Sequence, residues 1–377
     1  MADWARITNT TIAEYIKGEE NNVMRNRKIL AMLQDRGRVT MNHAGLNVDW
    51  KVRYRRAPMQ GFADTDTLSF ARQNRHKTAT LDWRGYSITD QMTDFEKEKN
   101  KGEAAIVKLW SNIAKMLMED MEDKLGDEVY IDGNATGNSK RFHGIESFFS
   151  TSGASVKQPV GLPNDTYAGL VATLGNYGGA WTTTGTTTTN TDWPTGTGDA
   201  HYDFWSPLVV DYTSGITTNT TTGVYGWAAS TKTWPNTCIE AIRYGLSHSK
   251  KNKSKRGLTD LITLESMMYR QLKDKLQAEE QLNVVRGDAD SALYKVGFRD
   301  IINVDGTDVT DEYGITSNRG YGWNFDSMEL CSLRDKLFNP EGPDRDISSA
   351  AWRFAIFIMG NLKFASPRGF IKWLNIT

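Results

Sequence analysis

Residues 93–126 read TDFEKEKNKGEAAIVKLWSNIAKMLMEDMEDKLG. The stretch opens on a capping box, in which the Thr93 hydroxyl accepts from the Glu96 amide while the Glu96 carboxylate reaches back to the Thr93 amide. Apolar residues then recur at helical spacing through Ile106, Leu109, Trp110, Ile113, Met116, Leu117, Met121 and Leu125. No proline interrupts the run, and Gly126 is in place to form a left-handed C-cap. At 1.5 Å per residue such a helix is roughly 45–50 Å long. Its end is acidic, with Glu119, Asp120, Glu122, Asp123, Asp127 and Glu128 against the single Lys124. A helix of this length with one apolar stripe is a beam with a docking face.

Upstream lies the reverse charge. Val48, Trp50, Val52 and Tyr54 alternate with Asp49, Lys51, Arg53 and Arg55, which is the period of a strand with one polar face. A polar stretch from Gly61 to Asn74 separates it from KTATLDWRGYSI, a second extended run that ends at Ile88. Together they predict a two-stranded ribbon with a wide tip, which is marginal in water without a surface to lie on. From Trp50 to Gly85, the cations Lys51, Arg53, Arg55, Arg56, Arg72, Arg75, Lys77 and Arg84 face Asp64, Asp66 and Asp82, a net charge of +5. A cationic ribbon next to a helix with an acidic end predicts pairing, within one chain or between two copies. Before the ribbon, the capping box at Thr11–Glu14 opens a thin amphipathic run that ends at Gly37 and reads as an arm.

Downstream, a short strand at VYID leads into a Gly/Asn turn around Gly133–Gly137 and an apolar patch at Ile145–Phe149. Thr151–Pro235 is rich in glycine, threonine and tryptophan and reads as elaborated surface loops anchored by aromatics. Helices are predicted over 236–249 and 265–281, a buried strand within LTDLITL, and a strand–turn–strand over 298–309. WRFAIFIMG and LKFASPRGFIKWLNI read as two closing strands on either side of Gly360-Asn361. The order of elements is mixed α+β, with strands that pair across the sequence.

The 377 residues carry a formal net charge of −1, which argues against nucleic-acid binding by the whole surface. The sequence holds no apolar run long enough to span a bilayer and no export signal, so Cys238 and Cys331 are expected as buried thiols. Phosphate-loop, nucleophile-elbow and zinc-helix signatures are absent. The five histidines have no metal-ligand spacing. No catalytic residue, cofactor or metal is therefore expected. The cluster Lys250, Lys251, Lys253, Lys255 and Arg256 could face nucleic acid or another chain, or be a solvated loop.

Taken together, the ribbon at 46–88, the helix at 93–126, Asp132-Gly133-Asn134 through His143-Gly144-Ile145, Gly322-Trp323-Asn324 and the ending Gly360-Asn361-Leu362 through Pro367-Arg368-Gly369 to Trp373 resemble one family. The order of these elements is similar to that of the major capsid proteins of tailed double-stranded-DNA bacteriophages, with the Hong Kong 97-type coat fold. The resemblance implies an N-terminal arm (1–45), an extended loop (46–92), a peripheral domain with a spine helix (93–160 and 346–377) and an axial domain (161–345). The Thr/Gly/Trp-rich stretch at about 175–234 would be an insertion in the axial domain. It implies self-assembly into pentamers and hexamers of an icosahedral virion shell, built in the host bacterial cytoplasm around DNA that the shell touches weakly. A portal, a separate scaffolding protein and a decoration protein are the implied partners, because the ribbon begins too early for a built-in scaffolding segment. Some members crosslink a loop lysine to a neighbour's asparagine. Lys77 lies in the ribbon, but nothing identifies its partner, and that chemistry is not expected here.

The implied interface sets Arg53, Arg55, Arg56, Arg72 and Arg75 of one copy against Glu119, Asp120, Glu122 and Asp123 of another. Two other readings stay open from sequence: an encapsulin-type nanocompartment shell, and a carbohydrate-binding or hydrolytic protein that uses the tryptophan-rich region.

Overall fold

The computed structural model describes residues 27–53, 59–68, 70, 72, 74–99, 103–149, 160–161, 166–171, 205, 207–212, 217–219, 223–225, 233–251, 259–279, 301–334, 336–346, 348 and 350–375. The first element among the described residues is helix α1 (Lys28–Asp35), which buries Ile29 and Leu33 and stops where Gly37 takes a φ of +61°. Strands β1 (Val39–His43), β2 (Val48–Arg53), β3 (His76–Leu81) and β4 (Arg84–Thr93) precede helices α2 (Asp94–Lys99) and α3 (Glu103–Glu128). Short strands follow: β5 (Val160–Gly161), β6 (Thr166–Tyr167), β7 (Leu170–Val171), β8 (Leu208–Asp211), β9 (Thr217–Asn219) and β10 (Gly223–Tyr225). Then come α4 (Trp234–Lys251), β11 (Leu261–Leu264), α5 (Ser266–Glu279), β12 (Ile301–Val304), β13 (Thr307–Asp311) and β14 (Arg319–Trp323). The chain closes with β15 (Met328–Leu333), β16 (Asn339–Asp346), β17 (Ala351–Phe364) and β18 (Ile371–Leu374).

Two sheets organise these elements. In the five-stranded sheet, β4 runs antiparallel to β17 in unbroken register from Thr93↔Ala351 to Arg84↔Gly360. β15 and β16 pair with the opposite edge of β17, and β1 adds in parallel to β15. Helix α3 packs on β4 and β17, burying Ile113, Leu117, Met121 and Leu125 as one stripe. The seven-stranded sheet has the order β12-β13-β11-β14-β18-β8-β5 and mixes parallel with antiparallel pairs. Helices α4 and α5 pack together, and a core of Ile239, Ile242, Leu246, Met268, Leu272, Ile371 and Trp373 lies with them.

Several sequence expectations change. The capping box forms as read, with Thr93 N–H donating to Glu96 at 2.9 Å and Glu96 N–H to Thr93 Oγ1 at 3.3 Å. The single helix over 93–126 is instead described as α2 and α3, with residues 100–102 outside the described set. α3 runs past Gly126, which lies inside the helix, so that glycine is not its C-cap. The second ribbon strand ends at Leu81 and not Ile88, because β4 leaves the ribbon to join β17. VYID forms a turn, with Tyr130 N–H donating to Asp127 O, and not a strand. Gly360-Asn361 does not divide two strands, since β17 runs through both residues. The chain turns instead at Pro367–Gly369. The predicted run before residue 27 and most of the Thr/Trp-rich stretch lie outside the described residues.

Candidate assembly surface

The ribbon is built from β2 and β3, paired antiparallel from Val48↔Leu81 to Arg53↔His76. Alternation turns Val48, Trp50 and Val52 to one face and leaves Asp49, Lys51 and Arg53 exposed on the other. The apolar face has a surface to lie on, which an isolated hairpin requires. Val48, Ala79 and Leu81 are buried in the main core, and Trp50 Nε1 donates to the Ala365 carbonyl at 3.2 Å. The Trp50 ring lies 6.3 Å from that of Trp205 and 6.5 Å from that of Tyr167, and Lys363 sits over it. The Thr80 amide donates to the Ala168 carbonyl. The base of the ribbon is therefore fixed to its own chain.

Beyond the last pair, Arg53↔His76, the described residues are solvent-facing. Met59 is 98% exposed, Phe70 92%, Phe62 73% and Leu68 46%. Among the described residues of the tip, four large apolar side chains are thus left open to solvent, which makes the tip a candidate interaction surface. Arg72 and Arg75 line a groove with Asn74 and His76 at the root of this tip. In the sequence, Met59, Phe62, Leu68 and Phe70 stand as apolar residues in an otherwise polar loop, a weaker signal than the arginines around them.

The predicted site residues divide accordingly. Arg53 and Arg72 are exposed and Arg75 is half-buried, while Arg55 and Arg56 lie outside the described residues. On α3, Asp120 and Glu122 are exposed, and Glu119 pairs with Lys115 one turn earlier at 3.6 Å. Asp123 is engaged within the chain, by Arg27 at 2.8 Å. Arg84, counted among the ribbon cations, belongs to β4 and serves the core instead. Its guanidinium donates to the carbonyls of Gly133, Asn138 and Arg141, and so closes the Gly/Asn turn around itself. Lys250 and Lys251 end α4; Lys253, Lys255 and Arg256 lie outside the described residues.

Among the described residues, His43, Glu329 and Cys331 are close enough to share a metal ion. Glu329 already holds a cation, with Lys363 Nζ at 2.8 Å, and it also accepts from the Thr40 hydroxyl. Burial pushes the Cys331 thiol up to about 12, so it is a poor source of thiolate. The geometry is that of a satisfied ion pair beside a buried thiol. No helix among the described residues is long and apolar enough to cross a membrane.

No family model matches the chain, and no curated protein matches it. Solved structures do. A chain of the cyanophage A-1(L) capsid asymmetric unit matches with a TM-score of 0.54 and 14% identity, covering 96% of both chains. A chain from the capsid of a native GTA particle matches at 0.51, with 11% identity and 96% of both chains covered. A chain of Mycobacterium phage Bobi matches at 0.50, with 8% identity and 98% of each covered. At these identities the likeness is one of fold. The α+β arrangement described above is that of capsid-protein chains, nearly from end to end.

Proposed function

We propose that this chain is the major capsid protein of a tailed double-stranded-DNA bacteriophage, and that its copies close into the icosahedral head shell of the virion. The observation that carries this reading is the two-way coverage, 96% of this chain and 96% of the cyanophage capsid chain. A domain borrowed into an unrelated protein would leave one of the two chains largely uncovered. In this reading the chain is structural, without catalytic residues. It divides into an arm, an extended loop, a peripheral domain on the long helix and an axial domain on the seven-stranded sheet. Pentamers and hexamers of the same chain are its first partners, followed by a separate scaffolding protein, a portal, packaged DNA and a decoration protein.

The ribbon is the contact between copies. Arg53, Arg72 and Arg75 meet Asp120 and Glu122 of a neighbour, and each exposed ion pair adds only about 0–1 kcal/mol. Burial of Met59, Phe62, Leu68 and Phe70 supplies most of the attraction, at ~25 cal/mol per Å² of apolar surface removed from water. The charges then set register and encounter rate.

Electron microscopy of the concentrated protein tests the function: closed particles are expected, and a chain that stays monomeric at every concentration overturns it. The interface is tested with Arg53→Glu/Arg75→Glu and with Phe62→Ser/Phe70→Ser. Both pairs should leave the melting temperature of the monomer unchanged and abolish or misdirect closure. Normal particles from both variants refute the ribbon contact while leaving the shell function intact.

A further inference from the structure

β4 is an edge strand of ten residues, about 33 Å from end to end. On one side it pairs with β17 from Thr93↔Ala351 to Arg84↔Gly360. The register continues past the strand, where the Asp94 amide donates to the Ala350 carbonyl at 3.0 Å. Hydrogen-bonded pairs alternate along an antiparallel ladder. The even-numbered residues of β4 therefore bond β17, and the odd-numbered ones turn their N–H and C=O outward. Two of these outward amides are taken locally, Thr93 by the Glu96 carboxylate at 2.9 Å and Gln91 by Asp90 Oδ1 at 2.8 Å. Gly85, Ser87 and Thr89 are exposed, and no backbone hydrogen bond among the described residues uses their outward amides or carbonyls.

The other edges of the same sheet are blunted. β16 carries Pro340, Pro343 and four charged side chains from Glu341 to Asp346, and its pairing with β17 shifts register between Glu341 and Asp344. β1 is five residues long and shifts register between Thr40 and His43. Prolines, charges, bulges and shortness are what keep a sheet edge from pairing with another chain. β4 has no proline, and its register is unbroken. Its open row of donors and acceptors is a template for one more strand.

We infer that the open edge of β4 takes a strand from a second copy of the chain, supplied by the ribbon tip between Leu68 and Asn74. This rests on the shell reading and gives the tip its landing site. Leu68, Phe70, Arg72 and Asn74 are exposed, lie in no helix or strand, and share one side of an extended chain. Helix α3 packs on β4 and β17 and leaves Met116 and Met118 exposed, one turn before the exposed Asp120 and Glu122. A strand on β4 with that side turned to α3 sets Leu68 and Phe70 against methionine and Arg72 against carboxylate. The chain's own tip is held off, because β3 runs about 20 Å from the tip to Leu81, paired to β2 throughout, before β4 begins.

Hydrogen exchange of the full chain, corrected for intrinsic rates, compares the unassembled protein with closed particles. In the unassembled chain the amides of Gly85, Ser87 and Thr89 should exchange at least about tenfold faster than those of Tyr86 and Ile88, and in particles they should slow at least about tenfold. A particle map at side-chain resolution should show residues 68–74 of a neighbour about 4.8 Å from β4. Ser87→Pro removes a donor that the chain's own sheet leaves unused. It should fold with Ile356 and Ile358 still protected and yield at least about tenfold fewer particles. Closed particles in which these three amides stay fast, or in which β4 faces solvent or another segment, overturn the added strand and leave the shell reading standing. A wild-type particle yield from Ser87→Pro does the same. A chain that never associates overturns both.

Discussion

Lys372 offers the sharpest test of how the core between the two sheets is held. It lies on β18 at 2% exposure, with Nζ 2.6 Å from Glu146 Oε2 and 3.4 Å from the Phe149 carbonyl. Burial lowers its pKa, and the Glu146 carboxylate works against that shift. The other oxygen of Glu146 accepts from the Tyr321 hydroxyl and lies 3.3 Å from Arg319. Lys372→Met keeps the stem and removes the ammonium, leaving Glu146 charged and buried. Breaking a buried pair from one side costs about 3–5 kcal/mol. Since Arg319 and Tyr321 still hold Oε1, the lower end applies, ~3 kcal/mol. An unfolding entropy of ~2.1 cal/mol/K per residue over 377 residues gives ~0.8 kcal/mol/K, so the melting temperature should fall by ~4 °C. Adding Glu146→Gln removes the stranded charge and keeps an acceptor for Tyr321 and Arg319. The double variant should then be more stable than Lys372→Met alone. Calorimetry of the unassembled protein at pH 7 measures all three. If the double variant melts no higher than Lys372→Met, the loss is one of packing, and the electrostatic account of this pair fails.

Three further outcomes follow from named contacts. Burial, and then the charge of Arg84, lower the His143 imidazole to about 4. The folded chain therefore takes up this proton less readily than the unfolded one. The His143 contribution is complete above about pH 6.5 and erodes as pH falls, losing about 2 kcal/mol between pH 7 and pH 5. A His143 resonance that titrates near 6.5 contradicts this, and His143→Gln should flatten the slope. Tyr86→Phe removes the hydroxyl that accepts from the Phe142 amide at 2.6 Å and donates to Glu128. Stranding that amide should cost about 1–3 kcal/mol in urea unfolding, and an unchanged midpoint would show that another acceptor replaces the tyrosine. Gly144→Ala puts a methyl 2.5 Å from the Glu128 carbonyl oxygen and 2.6 Å from the Ile131 amide nitrogen, all backbone atoms. A loss of about 2 kcal/mol or more is expected in the same assay, and wild-type stability would show that the turn can move aside.

What could be read from sequence follows the range over which each signal acts. The Thr93–Glu96 box, the stop at Gly37 and the alternation from Val48 to Arg53 are settled by neighbours a few residues away, and each appears as read; the stripe from Ile113 to Leu125 appears too, except that Met116 faces solvent. Glycine was misread where its cause is distant. Gly126 and Gly360 look like punctuation. In the structure the first makes room for Arg27, and a Cβ on the second would lie 2.4 Å from the Cys331 carbonyl oxygen of β15. A glycine within a strand marks such close backbone approach as readily as it marks a turn. Charge was misread for the same reason. Arg84 and Asp123 contribute to the ribbon and helix totals, yet Arg84 gathers carbonyls of the 133–141 turn and Asp123 meets an arginine 96 positions earlier. Net charge along a segment counts a carboxylate bound inside the chain and one open to solvent alike. Only burial separates them, and among the described residues it leaves Arg53, Arg72, Asp120 and Glu122 as the exposed members of the predicted set, with Arg75 half-buried. Under the proposed ribbon contact, these are the residues through which a second copy would be recognised, and the exposed apolar tip is what that contact would take out of water.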